Sequence, residues 1–425
     1  MDKILAPKQH ITQTAGKHIL CLLGVVLLSG CLGFTAMAGP NGSTEEATIK
    51  PTQEDILCAN TEFVNQMTAQ QIDAYYNRRH KLDGFNGCVL VSKDGKPLYS
   101  GAFGYANITE RDTLSTQSSI QLASITKTFT SAAILQLAEA GQLSLDDSIQ
   151  KFFPEFPYHG ITVKLLLSHR TGLPDYILWD QHFIGEGVQY LTNQSVVDLL
   201  IKKHPPVRAR PDKLFIYCNT NYALLASIVE KASGLTYKQY MQEHIFNPLG
   251  MCNTFICTAQ DSASIHCGAT CYEGRRWREW RWAPSDGVVG DKGIYSSVED
   301  MLKWDNALKE GKVLGEEMLQ EAYKPHNTDR YSFAKDKRRN YGYGWRMIKQ
   351  PDNSYLIYHN GNWHGCNNVF CRNLQQGYTV IVLGNKENGV NYLTQPVWDI
   401  IARVKNDQNI AASEQVPQQQ QDTEQ

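Results

Sequence analysis

The chain reads as an α+β (mixed α/β) protein. It predicts an antiparallel sheet flanked by N- and C-terminal helices, with a mainly helical region set between parts of that sheet. Three observations support this. A helical pattern is followed by two strand-like runs joined by a turn signal. The stretch from Gln142 to about Met301 carries short helical patterns punctuated by aromatics and prolines. Strand patterns then return late, ahead of a last helical run.

In order along the chain, Thr61 to His80 places apolar residues at Phe63, Val64, Met67, Ile72, Ala74 and Tyr75, the spacing of an amphipathic helix. Gly87 to Ser92 and Lys96 to Phe103 read as strands, with Lys93-Asp94-Gly95 as the hairpin turn between them. Ser124 to about Ala140 is apolar at Ile125, Phe129, Ala132, Ala133, Leu135, Leu137 and Ala138, and Gly141 stops it. That is the pattern of a helix buried on most sides. Ile161 to Ser168, Ser195 to Lys203, Asn221 to Gly234 and Tyr237 to Phe246 read as further helices, as do Val298 to Leu308 and Gly315 to Tyr323. Lys213 to Ile216 is strand-like. The late strands are Tyr341 to Ile348, Tyr355 to His359, Cys366 to Arg372 and Tyr378 to Leu383, and Gln395 to Val404 is a helix that can pack back on the sheet. The folded domain is expected over 61–404. The Gln-, Asp- and Glu-rich stretch 405–425 is expected to be disordered.

The 425 residues are 42% apolar and 20% charged, enough for a large core, and a net charge of -2 gives no support for a nucleic-acid partner. Lys3, Lys8 and Lys17 precede an apolar run, Ile19 to Leu28, that is too short for a comfortable transmembrane helix. Leu28-Ser29-Gly30-Cys31 matches a bacterial lipobox, which makes Cys31 the lipid-bearing residue of an exported envelope protein. Ala36-Met37-Ala38 is a competing cleavage site. The favoured organisation is a signal peptide over 1–31 and a tether over 32–60, with membrane attachment through the lipid anchor. Of 11 cysteines, removal of Cys21 and Cys31 leaves an odd number, so at least one thiol stays unpaired. Cys252, Cys257, Cys267 and Cys271 lie close enough to pair, and a direct Cys366–Cys371 bridge would need a bent strand. The spacings lack the paired hooks of common zinc sites. Arg275 to Trp282 reads as a strand with a partly stacked Arg/Trp surface.

Three short patterns carry the chemistry. Ser124 and Lys127 are three residues apart at a helix start, so they share a face. The lysine can take the serine's proton, and the free N–H groups of the helix start can stabilise an oxyanion. Tyr217-Cys218-Asn219 precedes a helix; the phenol can carry a proton, and the amide can meet both a substrate carbonyl and the lysine. Cys218 reads as a packed small side chain, because nothing near it in sequence would lower its pKa. His359-Asn360-Gly361 ends a strand pattern, where Gly361 allows close backbone approach and the N–H of Asn362 can be a second oxyanion donor.

The order and rough spacing of Ser124-x-x-Lys127, Tyr217-x-Asn219 and His359-x-Gly361 resemble those of the serine penicillin-recognising enzymes. The chain is similar to the branch that holds class C β-lactamases, D-Ala-D-Ala carboxypeptidases and related esterases. Leu166 to Tyr176, Ile245 to Met251 and Gly290 to Met301 match as well, and the resemblance covers about residues 61 to 404. It implies the β-lactamase/transpeptidase-like fold, with the active site between the sheet and the helical region. Ser124 would be acylated, Lys127 and Tyr217 would share proton transfer, and Asn219 would orient the substrate. His359 would stand near the substrate carboxylate, and the amides of Ser124 and Asn362 would form the oxyanion hole. Water would release the acyl group, with no metal or cofactor. A small-molecule or peptide substrate and a monomeric assembly are expected. The chain departs from the family at its third pattern, where true class C β-lactamases carry Lys-Thr-Gly. A histidine is mostly neutral at pH 7, which weakens the expectation of penicillin hydrolysis.

Overall fold

A sheet of seven antiparallel strands, numbered β1 to β7 in chain order, forms the spine of the protein: Gly87–Lys93, Lys96–Phe103, Arg339–Tyr341, Arg346–Lys349, Tyr355–Trp363, Cys366–Asn373 and Tyr378–Gly384. Their spatial order is β3-β4-β5-β6-β7-β1-β2, so the N-terminal hairpin completes a sheet built mostly by the C-terminal third. The computed structural model describes residues 53–263, 267–274, 276–327, 338–387 and 394–414. The signal segment, Cys31 and the tether up to residue 52 lie outside the described residues, and so does 415–425.

Alternation along the strands assigns the two faces. Val89 and Val91 of β1 and Val380 and Val382 of β7 point to one side. There they pack with Ile72 and Tyr76 of the first helix, α1 (Gln53–Asp83), and with Val397, Ile400 and Ile401 of the last, Gln395–Glu414. Cys88, Leu90, Ile381 and Leu383 point to the other side, into the core shared with the helical region. Central strands buried on both faces carry near-continuous apolar runs, as β7 does. The second helix used here, α2 (Thr126–Glu139), is buried almost all round, and its Phe129 stacks on Trp304 with ring centroids 4.1 Å apart. Full burial of one such ring contributes about 1.5–3 kcal/mol.

Most expected elements stand, with corrections. The strand expected over Arg275 to Trp282 is reduced to Arg278–Glu279, and the one expected to end at His359 runs on to Trp363. The first helix begins at Gln53, inside the expected tether, and the last runs to Glu414, into the tail expected to be disordered. Val397 and Val404 on one face hold that helix to the sheet before the polar tail sequence takes over. Tyr341 to Ile348 is two strands, because Gly342 and Gly344 turn the chain between them. Lys213 to Ile216 forms no strand. Ile216 instead donates its N–H to the His169 carbonyl at 2.9 Å, so this segment pairs with a turn. The helical region also holds a small sheet of Ile120–Gln121, Ile294–Ser296 and Phe255–Ile256, which precedes the Ser124 turn directly.

Among the described residues two disulfides, Cys257–Cys267 and Cys271–Cys366, fix the middle region. Among the described residues Cys88, Cys218, Cys252 and Cys371 are free. Cys366 and Cys371 share β6 without pairing, as the strand geometry requires. Among the described residues no helix is long and apolar enough to cross a membrane.

Candidate active site

Ser124 lies in a single 3-10 turn, Ala123–Ile125, that runs directly into α2. Ala123 adopts φ 50°, a left-handed conformation that costs a non-glycine residue about 1–3 kcal/mol. Ser124 stays partly exposed while Ala123, Ile125 and Thr126 are buried. Lys127, one turn on, is fully buried. Its Nζ donates to Ser124 Oγ at 3.0 Å, to Asn219 Oδ1 at 2.9 Å and to the Asp291 carbonyl at 2.8 Å. These three contacts fix the lysine nitrogen in place beside the serine hydroxyl.

Asn219 opens the third helix used here, α3 (Asn219–Ser233), and this start brings the second pattern against the first. Asp175 holds it there. Its Oδ2 accepts from the Asn219 backbone N–H at 3.3 Å and from Asn219 Nδ2 at 3.1 Å. An amide whose nitrogen faces a carboxylate turns its oxygen the other way, and that oxygen is the one on Lys127. Burial pushes the Asp175 carboxyl above its ordinary range and outweighs the hydrogen bonds from Asn219 and Ile177 that pull it down. On the far side, the Asp291 carboxylate accepts from Tyr176 Oη at 2.9 Å and pairs with Lys292 at 3.5 Å. The backbone that presents the third acceptor is thus anchored by its own side chain.

The Tyr217 ring centroid lies 5.0 Å from Lys127 Nζ and 4.9 Å from the Arg346 guanidinium carbon. Its hydroxyl is buried without a hydrogen-bond partner among the described residues. The ring packs at 4.3 Å on His169, whose Nδ1 accepts from the Cys218 N–H at 3.2 Å. Burial, followed by Lys127 and Arg346, pushes His169 well below the usual histidine range, so it is neutral. Cys218 behaves as its surroundings predict: burial pushes the thiol up to about 12.

β5 carries the third pattern. It pairs with β4 only through Tyr355 to Tyr358 and with β6 along its length. A Cβ on Gly361 would come within 2.1 Å of the Leu122 carbonyl, so glycine is what lets this strand lie against the turn that carries Ser124. Asn362, the next residue, is exposed. His359 is fully buried. Its Nδ1 lies 2.7 Å from the Asn360 carbonyl, which makes Nδ1 the donor and leaves Nε2 to accept from Tyr341 Oη at 3.2 Å. Burial, with Arg346 and Lys127, pushes its pKa well below the usual value. His359 therefore presents no charge; it supports the stack, 6.2 Å from the Tyr217 ring. The permanent cation against that ring is Arg346.

The structure thus brings Ser124, Lys127, Asn219, Tyr217 and the Gly361 strand edge together and sets His359 one layer deeper. Asp175, His169, Asp291 and Arg346 were not singled out as site residues. The first two lie in the Leu166–Tyr176 stretch and Asp291 in the Gly290–Met301 stretch, so their segments carried a signal. Arg346 carried none, because a strand arginine looks like a solvated edge. The tryptophans of Arg275 to Trp282 stack differently from expectation. Trp280 lies on His364 at 4.1 Å, and Trp277 sits against Tyr272 and Lys386.

The family model described as Beta-lactamase matches residues 70–398. Penicillin-binding protein 4* of Bacillus subtilis is 33% identical over 325 residues, covering 72% of this chain and 70% of the relative. The putative penicillin-binding protein PbpX of the same organism is 26% identical over 336 residues, covering 75% and 80%. Among solved structures, the penicillin-binding protein of Bacillus halodurans superposes with a TM-score of 0.66 at 25% identity, covering 78% of this chain and 98% of that one. The octameric penicillin-binding protein homologue of Pyrococcus abyssi gives 0.65 at 26% identity, covering 75% and 74%. The chain belongs to the β-lactamase family, whose members are serine hydrolases.

Proposed function

We propose that the protein hydrolyses a small amide or ester through an acyl-enzyme on Ser124, with a D-amino-acid peptide of the peptidoglycan type as its natural substrate. The observation that carries this is the 3.0 Å contact between Lys127 Nζ and Ser124 Oγ, with Asn219 and the Asp291 carbonyl fixing the lysine. The relationship to penicillin-binding protein 4* supports the substrate class. Ser124 Oγ attacks the carbonyl carbon and the new C–O bond forms. Lys127 and Tyr217 take the hydroxyl proton and deliver it to the departing amine or alcohol as its bond to the carbonyl breaks. The N–H groups of Ser124 and Asn362 hold the oxyanion, and water then reverses the sequence on the ester. Asn219 Nδ2 keeps one hydrogen for the substrate carbonyl after serving Asp175.

One observation favours an ester substrate as the second reading. The neutral, buried His359 offers no cation to a substrate carboxylate. Labelling wild type and Ser124→Ala with a fluorescent penicillin and a fluorophosphonate separates the readings. Serine-dependent labelling by penicillin supports the peptide reading. Rapid p-nitrophenyl ester turnover without penicillin labelling supports the esterase. Labelling by neither, or labelling that survives Ser124→Ala, defeats both and leaves a non-catalytic binding module. In the cell, the lipobox reading places the protein in the envelope on a lipid at Cys31. Cys31→Ala then releases it from the membrane fraction, and retention there would remove the anchor from the account.

A further inference from the structure

Beside the Ser124 turn lies a second cleft, of about 270 Å³, near the lower end of ligand-site volumes of about 300 Å³. Its walls come from segments that also build the catalytic turn. Gln121 precedes Ser124 by three residues, and His364 follows Asn362 by two. The walls are rigid. Asp286, itself buried, accepts from Trp363 Nε1 at 2.6 Å and bonds His364 Nε2 at 2.6 Å, and Trp280 stacks on the held imidazole with planes 22° apart. Both disulfides reach the lining, through Cys267 and Cys271. Gly268, at φ 69°, presses this lining onto the Ser119 carbonyl.

The chemistry of the walls selects an occupant. Trp280 and Trp282 offer partly exposed flat apolar faces. Gln121 is only 4% exposed; its Nε2 is committed to Tyr295 Oη at 3.0 Å, and its Oε1 is buried with no hydrogen-bond partner. An aliphatic or benzenoid group would leave that oxygen unsatisfied, at a cost of about 1–3 kcal/mol. A ring with one apolar face and donors on its edge satisfies both the indoles and the amide. A pyranose bearing an N-acetyl group has that form. Trp280, Trp282 and Glu279 also line a larger groove, of about 1010 Å³, that continues past Arg278 and Arg281 and gives a chain of such rings somewhere to run.

We propose that this cleft is a carbohydrate subsite that seats one N-acetylhexosamine ring of a glycan-linked substrate next to the acylation centre. The proposal deepens the hydrolase reading, but its test does not depend on turnover. Titrating tri-N-acetylchitotriose calorimetrically into Ser124→Ala protein is expected to give saturable millimolar binding. Trp280→Ala in that background should weaken it about two- to tenfold, the scale of a lost aromatic stacking contact. Trp282→Ala should weaken it as well. In the wild-type background, Trp280→Ala should leave turnover of a short p-nitrophenyl ester unchanged, which also shows that the variant folds. No binding by the Ser124→Ala protein, or binding that survives both tryptophan substitutions, overturns the subsite. Sugar binding in a protein whose ester turnover is absent would defeat the hydrolase reading and leave the subsite standing.

Discussion

Asp175 touches no reacting atom, yet the geometry makes it the residue that sets Lys127. Asp175→Ala removes the acceptor of two hydrogen bonds to Asn219, at 3.3 and 3.1 Å. Hydrogen bonds to a charged group are worth about 1.5–3 kcal/mol each. Without them the Asn219 amide is free to rotate, and Lys127 loses a fixed acceptor at 2.9 Å. A displacement of about 1 Å in such a site costs roughly 10²-fold. Acylation by a p-nitrophenyl ester, followed as the pre-steady-state burst, is therefore expected to slow by about 10–100-fold. KM should rise as well, because the freed Asn219 amide is also the group offered to the substrate carbonyl. Asp175→Asn keeps an acceptor oxygen and is expected to fall between wild type and alanine. An unchanged burst rate in a folded Asp175→Ala protein would refute the chain from Asp175 through Asn219 to Lys127.

Lys127→Ala and Tyr217→Phe should each slow acylation by at least roughly 10²-fold, the scale of lost acid–base help; wild-type burst rates in either would remove the role assigned to it. His169 and His359 are neutral in the fold, whereas the unfolded chain protonates them below about pH 6.5. Their contribution to stability is thus present above that pH and lost as pH falls, by up to about 1.4 kcal/mol per pH unit for each. Urea unfolding at pH 7 and pH 5 should show a smaller loss for His359→Gln than for wild type, and equal losses would contradict the burial argument. Asp305 is fully buried between Arg372 Nε at 2.5 Å and Lys309 Nζ at 2.6 Å. Burial acts to raise its carboxyl, but Arg372 and Lys309 outweigh it and hold the group below the ordinary range. Its stabilisation is present above about pH 4 and lost as pH falls through the depressed value. Asp305→Asn should cost about 3–5 kcal/mol in urea unfolding by stranding Arg372, and a neutral substitution would show that the pair contributes nothing.

Much of the fold was legible because its signals are local. The Lys93-Asp94-Gly95 hairpin, the buried pattern after Ser124 and the apolar run of β7 each declare one element without help from the rest of the chain. Boundaries moved where tertiary contacts decide. Val397 and Val404 hold the last helix on the sheet, and the helix runs on beyond them to Glu414 where the composition turns polar, while the glycines at 342 and 344 break what reads as a single strand. The Ser124, Lys127 and Asn219 cluster was legible because spacing and helix starts encode it. The depth of His359 was not, since a strand residue's face depends on which neighbour covers it. Asp175 and Arg346 were hidden for a related reason. Each acts across more than 40 residues of sequence, through Asn219 and Tyr217, and no local pattern records such a contact.

The central claim is that Ser124 is the atom acylated and that Lys127 enables it. Peptide mapping by mass spectrometry after brief exposure to a penicillin or a p-nitrophenyl ester tests this directly. The account predicts a single acyl mass on the peptide containing Ser124, absent in Ser124→Ala and strongly reduced in Lys127→Ala. An acyl group found on another residue, or on Ser124 at wild-type yield without Lys127, would contradict it.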